Sequence, residues 1–223
     1  MSTVGRISEL AIFDCDGVLV DSEPISNDVL ARMLSAQGLP KTLAEARRDY
    51  QGLLLQDVVS SAEAELGRAL PAGWLADYER ARAEAFRQEL RAVPGAAEAV
   101  TRVREAGLAV CVASQGKLTK TRLSLELTGL RDLFADRALF SAYSVARGKP
   151  HPDLFLHAAS TMSVDPERCV VVEDTPSGVV AAVAAGMHVY GYAADSDEAA
   201  LRAAGAAEIL HLMEELPGQL GLG

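Results

Sequence analysis

In the stretch "AIFDCDGVLVDSE", residues 11–23, an apolar run ends abruptly in two aspartates. Asp14 and Asp16 are separated by one residue, and Gly17 follows directly. A carboxylate at the end of a buried run costs free energy unless something compensates its charge, and two neighbouring carboxylates also repel each other. We therefore expect a positively charged group to lie close to this stretch in the folded protein.

Similar apolar runs recur along the chain, at residues 108–113, 138–142, 168–172, 187–192 and 207–212. Between them lie segments whose apolar residues have the spacing of amphipathic helices. Nearly continuous apolar strands that alternate with single helices are typical of a parallel sheet covered on both faces. The pattern predicts an α/β protein with a Rossmann-like, doubly wound parallel sheet.

One region breaks this alternation, because residues 22 to about 92 contain no strand pattern. Three apolar stripes with helical spacing replace it, at residues 25–34, 58–66 and 74–86. The sequence "VPG" (93–95) then marks the return to the sheet. We predict a core domain of residues 1–20 and 93–223, and a helical domain of residues 21–92 inserted after the first strand.

Polar side chains follow the predicted strands where each one ends. In an open parallel sheet, ligands bind outside the carboxyl ends of the strands, so these side chains should meet at one rim. They are Asp14 and Asp16 after the first strand, Ser114 and Gln115 after the second, Lys149 after the third, and Glu173 and Asp174 after the fourth.

Carboxylates that meet at a rim can be held together by a hard divalent cation. Mg²⁺ prefers oxygen ligands and usually binds one or two carboxylates together with substrate phosphate. Asp14, Asp16 and Asp174 fit such a site, and Lys149 would supply a fixed positive charge for an anionic substrate. The sequence therefore predicts Mg²⁺ as the cofactor.

Composition limits the possible partners of the protein. The net charge is −10, no dense basic run occurs, and only 5% of the residues are aromatic, so nucleic acid is not expected as a partner. The three cysteines are widely spaced and form no CxxC pair, which argues against a zinc site. No apolar stretch resembles a signal peptide or a membrane span, so we expect a soluble, cytoplasmic protein. We also expect a monomer, the default for a chain whose inserted domain closes on its own core.

At this point the sequence resembles the haloacid dehalogenase (HAD) superfamily. The segments that carry the resemblance are "FDCDGVLVDSE", "VASQG", "GKPHPDLF" and "VVEDTPSGVVAAVAAGM", which occur in the order of the family. The resemblance spans nearly the whole chain, and the helical insert is similar to the small helical cap of the β-phosphoglucomutase-like subfamily.

This resemblance implies a role for each strand-end residue. Asp14 would be the nucleophile that forms an aspartyl-phosphate, and Asp16 would be the general acid and then the general base. Ser114 and Lys149 would bind the phosphoryl oxygens. Asp174, Asp14 and the backbone carbonyl of Asp16 would hold Mg²⁺. The family's dehalogenases lack an acid at the position of Asp16, which disfavours that reaction here.

The resemblance also implies a substrate class and a set of binding residues. We expect a phosphatase that hydrolyses a small phosphorylated metabolite, either a sugar phosphate or a sugar-acid phosphate. Gln115, Lys117 and Glu23 are candidate substrate-binding residues: Lys117 beside Ser114, and Glu23 where it could gate or orient the cap. Arg80, Arg82 and Arg87 lie in the third apolar segment of the cap, where one of them could reach an anionic tail of the substrate. Solvated arginines are the simpler interpretation.

Two other functions remain open at the level of the sequence. A β-phosphoglucomutase-like mutase would carry a histidine where this chain has Ser26 and an arginine where it has Leu55, and both absences weaken that hypothesis. A receiver-like phosphoacceptor module also combines an acidic pocket, a hydroxyl and a lysine. The order of the motifs and the helical insert fit that module poorly.

Overall fold

The core of the protein is a six-stranded parallel sheet, seen in a computed structural model that describes residues 8–50 and 52–222. The strands lie in the order β3-β2-β1-β4-β5-β6, and every pair is parallel. Their bounds are β1 Leu10–Phe13, β2 Ala109–Ser114, β3 Leu139–Ser141, β4 Cys169–Glu173, β5 His188–Tyr192 and β6 Glu208–Leu210. The predicted sheet is confirmed, with bounds that differ from the predicted runs by one or two residues.

Helices cover both faces of this sheet. Ala11 and Phe13 of β1 pack in one apolar cluster, whereas Leu10 and Ile12 pack in another on the opposite face. Both clusters are buried because successive side chains of a strand point to opposite faces. The helices outside the insert are α5 Ala96–Glu105, α6 Leu118–Leu127, α7 Asp153–Met162, α8 Pro176–Ala184, α9 Glu198–Ala204 and α10 Leu216–Gln219.

The segment between β1 and α5 is helical, as the absence of a strand pattern indicates. Its described residues form four helices: α1 Glu23–Ala36, α2 Leu43–Tyr50, α3 Leu55–Leu66 and α4 Trp74–Glu89. The sequence predicted three apolar stripes, so α2 was missed. The reason is that α2 reads "LAEARRDY" and buries only Ala46 and Tyr50, which is too little to produce a recognisable apolar stripe.

The two ends of this helical segment lie side by side at the edge of the core. Val20 and Ala92 form an antiparallel bridge, the amide of Asp21 donates to the carbonyl of Arg91 at 3.0 Å, and the amide of Val93 donates to the carbonyl of Leu19 at 2.9 Å. The four helices share an apolar cluster of their own. The domain boundaries at residues 21 and 92 stay a prediction that this geometry supports.

In the part of the chain that the structure describes, no helix combines the length and the apolar character needed to cross a membrane.

The first turn of α8 allows a close approach that only glycine permits. A Cβ atom on Gly178 would lie 1.9 Å from the carboxyl carbon of Glu173, a fully buried residue at the end of β4. We predict that Gly178→Ala lowers the free energy of unfolding by about 1–3 kcal/mol, because the overpacked carboxylate must move. Urea denaturation followed by circular dichroism measures the change.

Gly218→Ala is the matched control, because Gly218 also lies in a short helix and a Cβ there meets nothing within 4 Å. We expect this variant to stay within about 0.5 kcal/mol of the parent protein. Equal stability of the two alanine variants would show that Glu173 does not need the space above Gly178.

Candidate active site

Lys149 lies at the centre of the carboxyl edge of the sheet and joins residues from three strand ends. Its Nζ donates to Asp14 Oδ1 and to Glu173 Oε1, both at 2.5 Å, and to the carbonyl of Ala113 at 3.1 Å. Lys149 is 9% exposed, Asp14 6% and Glu173 0%. Lys149 is therefore the positive group that Asp14 requires at the end of β1.

One lysine does not balance all the carboxylates at this edge. Burial raises the pKa of Asp14 to about 7, although the charge of Lys149 acts in the opposite direction. Burial also raises the pKa of Asp174, and the negative charges of Glu173 and Asp14 raise it further. Burial alone would lower the pKa of Lys149, but Asp14 and Glu173 raise it above its ordinary value. The carboxyl groups at this edge thus outnumber their lysine, and a bound cation would favour their ionised forms.

The second carboxylate oxygen of Glu173, Oε2, accepts two further hydrogen bonds. The backbone amide of Thr175 donates to Glu173 Oε2 at 3.0 Å, and the Thr175 hydroxyl donates to the same oxygen at 2.9 Å. The hydroxyl in turn accepts from the amide of Gly178, which caps the start of α8. Both carboxylate oxygens of Glu173 accept hydrogen bonds, one of them from Lys149, so Glu173 positions that lysine.

Asp16 lies beside Asp14 but in a different electrostatic environment. Lys120 and the hydroxyl of Ser22 both donate to Asp16 Oδ1, and the Ser114 hydroxyl lies 3.5 Å from Oδ2. Burial alone would raise the pKa of Asp16, but Lys120 and the hydrogen bond from Ser22 lower it below its ordinary value. Asp16 is therefore held as a carboxylate with its own cation, separate from Lys149.

Asp174 approaches the loop after β1 closely and has an oxygen available for a ligand. A Cβ on Gly17, whose φ is +78°, would lie 2.2 Å from Asp174 Oδ2, so only glycine fits there. Asp174 Oδ1 is buried and has no hydrogen-bond partner among the described residues. Nowhere in residues 8–50 and 52–222 do three His, Cys, Asp or Glu side chains group as a metal site.

These observations fit a magnesium ion held by two carboxylates and a backbone carbonyl better than one held by three side chains. An orphaned buried carboxylate oxygen and carboxyl groups that outnumber their lysine both favour a hard cation, and Mg²⁺ commonly uses only one or two carboxylates. The residues that would hold the ion are Asp14, Asp174 and the carbonyl of Asp16. The assignment of these ligands stays a prediction.

The predicted substrate-binding residues have different surroundings. Gln115 accepts from the Lys149 amide at 3.1 Å and donates to the Lys149 carbonyl at 3.4 Å, so its side chain fixes the backbone of that lysine. Lys117 pairs with Glu79 of α4 at 2.7 Å, a contact between the core and the helical segment. Glu23 Oε2 is buried with no partner among the described residues, and burial raises the pKa of Glu23 to about 7.

Residues of the sheet edge and of the inserted helices line a single cavity. All of the predicted site residues except Ser114 and Asp174 are among its lining residues, and so are the two positions that discriminate the mutase hypothesis, Ser26 and Leu55. Asp174 lines a second, adjacent cavity together with Gly17 and Glu23. Ser114 is fully buried and contacts Asp16 directly.

Three residues at this site were not predicted from the sequence: Ser22, Lys120 and Tyr143. The hydroxyl oxygen of Tyr143 accepts from the Leu55 amide at 3.2 Å and so connects the core to α3. Lys120 lies in the first turn of α6, and a helix that starts after a strand-end residue directs its first turn at the rim. The sequence was therefore sufficient to predict that Lys120 lies at the rim, whereas nothing in the sequence indicates Ser22 or Tyr143.

Comparison with known proteins gives the family. A family model described as a haloacid dehalogenase-like hydrolase matches residues 9–186. The chain belongs to this family. The match confirms the resemblance that the four sequence motifs indicated, and it includes strands β1 to β4 and the inserted helices.

Two relatives with more than 30% identity are named as phosphatases. The chain is 33% identical to 6-phosphogluconate phosphatase of Escherichia coli over 188 residues, which cover 84% of this chain and 83% of the relative. It is 35% identical to hexitol phosphatase B of the same organism over 189 residues, which cover 84% of each chain. The chain is accordingly a HAD-type hydrolase of phosphoric monoesters.

Solved structures of HAD proteins have the same fold. A HAD family hydrolase from Deinococcus radiodurans, solved with bound phosphate and sodium, superposes with a TM-score of 0.79 at 32% identity and covers 98% of both chains. A putative β-phosphoglucomutase from Thermotoga maritima gives a TM-score of 0.77 at 28% identity and covers 96% of this chain and 98% of the other.

Lys149 is expected to stabilise the fold as well as the site. Replacing it in Lys149→Met leaves Asp14 and Glu173 buried without their counter-charge, and breaking a buried ion pair costs about 3–5 kcal/mol. We predict a loss of stability of that size, measured by urea denaturation.

Lys117→Met is the control, because Lys117 also lines the cavity but its ion pair with Glu79 is partly exposed. That variant should lose no more than about 1 kcal/mol. If both methionine variants are equally stable, Lys149 does not compensate the carboxylates at the strand ends.

Proposed function

We propose that the protein is a Mg²⁺-dependent phosphatase that hydrolyses a small phosphorylated carbohydrate, a sugar phosphate or a sugar-acid phosphate, through an aspartyl-phosphate on Asp14. The observation that carries this proposal is the pair of aspartates with separate cations: Lys149 on Asp14 and Lys120 on Asp16. Two carboxylates in different environments at the base of one cavity can perform different steps of one reaction. The relatives named for phosphorylated carbohydrates support the choice of substrate.

In the first step, Asp14 attacks the phosphorus of the bound ester in line with the leaving oxygen. Asp16 gives a proton to that oxygen, so the alcohol leaves as a neutral molecule. Lys120 and Ser22 hold Asp16 as a carboxylate in the structure, and an anionic phosphate beside it would favour the protonated form that this step requires. Ser22 and Ser114 fix the orientation of its two oxygens.

In the second step, Asp16 accepts a proton from a water molecule that attacks the phosphoryl group on Asp14. The bond between phosphorus and Asp14 breaks, inorganic phosphate leaves, and Asp14 returns to its carboxylate form. Lys149 stays next to Asp14 throughout and stabilises the negative charge on the equatorial oxygens. When bound, Mg²⁺ would supply further stabilisation of that charge.

The helical segment of residues 21–92 would act as a cap over this chemistry. Its contacts with the core surround the cavity, through Lys117 with Glu79 and through Tyr143 with the amide of Leu55. A cover of this kind excludes water and provides the contacts that select the substrate. The cap assignment, with boundaries at residues 21 and 92, belongs to this proposal.

A mutase reaction is the weaker alternative. Ser26 and Leu55 both line the cavity, so the positions at which the mutases carry a histidine and an arginine face the substrate here without either side chain. Conversion of β-glucose 1-phosphate to glucose 6-phosphate without net phosphate release would favour that reaction over hydrolysis. The receiver-like alternative has no support from the family or from its relatives.

Asp14→Asn tests the nucleophile. We expect phosphate release from gluconate 6-phosphate and glucitol 6-phosphate to fall by about 10³-fold or more, because an amide cannot form the acyl-phosphate. A colorimetric assay of inorganic phosphate measures the change. Asp136→Asn is the control, since Asp136 is 86% exposed and lies outside the cavity, and it should keep full activity. Unchanged activity of Asp14→Asn would refute the mechanism.

Removal of divalent cations tests the cofactor. We expect the protein to lose phosphate release after treatment with EDTA and to regain it when MgCl₂ is added in excess of the chelator. The physical reason is that the buried carboxyl groups of Asp14 and Asp174 outnumber their lysine, and their ionised forms repel a phosphate unless a cation is bound. Full activity in EDTA would contradict the proposed magnesium site.

A further inference from the structure

The cavity has one cation that forms no ion pair with a carboxylate among the described residues. Each of its three lysines is paired: Lys149 with Asp14 and Glu173, Lys120 with Asp16, and Lys117 with Glu79. Arg82 also lines the cavity, and within residues 8–50 and 52–222 no carboxylate lies at ion-pair distance from its guanidinium. The charge of Arg82 reaches Asp16 only from beyond ion-pair distance, so the guanidinium keeps hydrogen-bond donors that a ligand can use.

The position of Arg82 on α4 is fixed by a row of aromatic residues. Trp74, Tyr78, Arg82 and Phe86 are spaced by four residues, which places them along one face of the helix. The three aromatic residues are buried, and the Arg82 guanidinium lies 5.1 Å from the centre of the Tyr78 ring and 5.9 Å from that of Phe86. Two aromatic faces hold the cation in place without neutralising its charge.

The other two arginines of α4 are different. Arg80 pairs with Asp77, and Arg87 pairs with Glu84 at 3.2 Å, both within the same helix. Their side chains are 75% and 53% exposed, and neither lines the cavity. Of the three arginines that the sequence left equivalent, only Arg82 faces the site.

We propose that Arg82 binds a carboxylate of the substrate, so that the preferred substrates are phosphorylated sugar acids and not the corresponding phosphorylated alcohols. This inference rests on the proposed phosphatase function and names its substrate class. The phosphate of such a substrate lies at Asp14 on the core side of the cavity, and the carboxylate lies at Arg82 on the helical side.

Charge balance favours a carboxylate over a second phosphate. The guanidinium of Arg82 carries one positive charge and offers a planar pair of donors that matches the two oxygens of a carboxylate. A second phosphate would bring up to two negative charges into a cavity already lined by Asp14, Asp16, Glu23 and Glu173. The other cations of the cavity are paired and cannot balance the additional charge.

The test compares matched substrates that differ in a single group. Gluconate 6-phosphate and glucitol 6-phosphate have the same carbon chain and differ only in a carboxylate or a hydroxymethyl group at carbon 1. Glycerate 3-phosphate and glycerol 3-phosphate provide a shorter pair. Steady-state phosphate release gives kcat and KM for each substrate with the parent protein, Arg82→Gln, Arg82→Lys and Arg80→Gln.

For the substrate pair that the parent protein hydrolyses more efficiently, we expect a higher kcat/KM for the acid than for the alcohol. Arg82→Gln should lower kcat/KM for the acid by roughly 10- to 100-fold, mainly through KM, because a hydrogen bond between two charged groups is lost. Its kcat/KM for the alcohol should change by less than about threefold. Arg82→Lys should keep part of the preference for the acid. Arg80→Gln, which removes the same charge from the same helix, should leave kcat/KM unchanged for both substrates.

Two results would overturn the inference in distinguishable ways. If the parent protein hydrolyses these esters but Arg82→Gln lowers kcat/KM equally for acid and alcohol, or changes neither, Arg82 does not select a carboxylate and the phosphatase proposal still stands. If the parent protein releases phosphate from none of the four esters in the presence of Mg²⁺, the proposed function fails and this inference fails with it.

Discussion

The structure depends on one arrangement of charge: a buried lysine that neutralises carboxylates brought together by separate strands. Asp14 follows β1 and Glu173 ends β4, and the sheet places these two strands next to each other. Lys149 reaches both from the loop after β3, and Gln115 holds the backbone of that lysine through two hydrogen bonds. If one partner were removed, the others would remain buried with unpaired charge, so the strand ends and their loops are energetically linked.

The sequence contained enough information to locate this centre, and the reason is geometric. Parallel strands end at the same edge of a sheet, so any polar residue that follows a buried run must lie at that edge. This rule alone places Asp14, Lys149 and Asp174 near one another. It does not specify which charges pair, and only the structure shows that Glu173 shares Lys149 with Asp14, while Asp16 is held by Lys120.

The inserted helices were harder to read from the sequence, for two physical reasons. First, α2 buries only Ala46 and Tyr50, so its apolar periodicity is too weak to distinguish it from a loop. Second, the direction of a surface helix face depends on tertiary packing, which a composition of Arg, Ala and Glu does not encode. The spacing of four places Arg82 in one row with Trp74, Tyr78 and Phe86, but only the structure shows that Arg82 lines the cavity.

The position of the insert explains how chemistry and selectivity are divided in this fold. β1 is an interior strand of the sheet, with β2 on one side and β4 on the other, so the loop after β1 emerges at the middle of the carboxyl edge. The helical segment inserted there joins the core next to Asp14 and Asp16, and its residues line the cavity together with these aspartates. The charged residues of the core can therefore stay in place around Lys149, while substitutions in α4 alter the opposite wall of the cavity. A substrate that spans the two is held at its phosphate by the sheet and selected at its other end by the inserted helices.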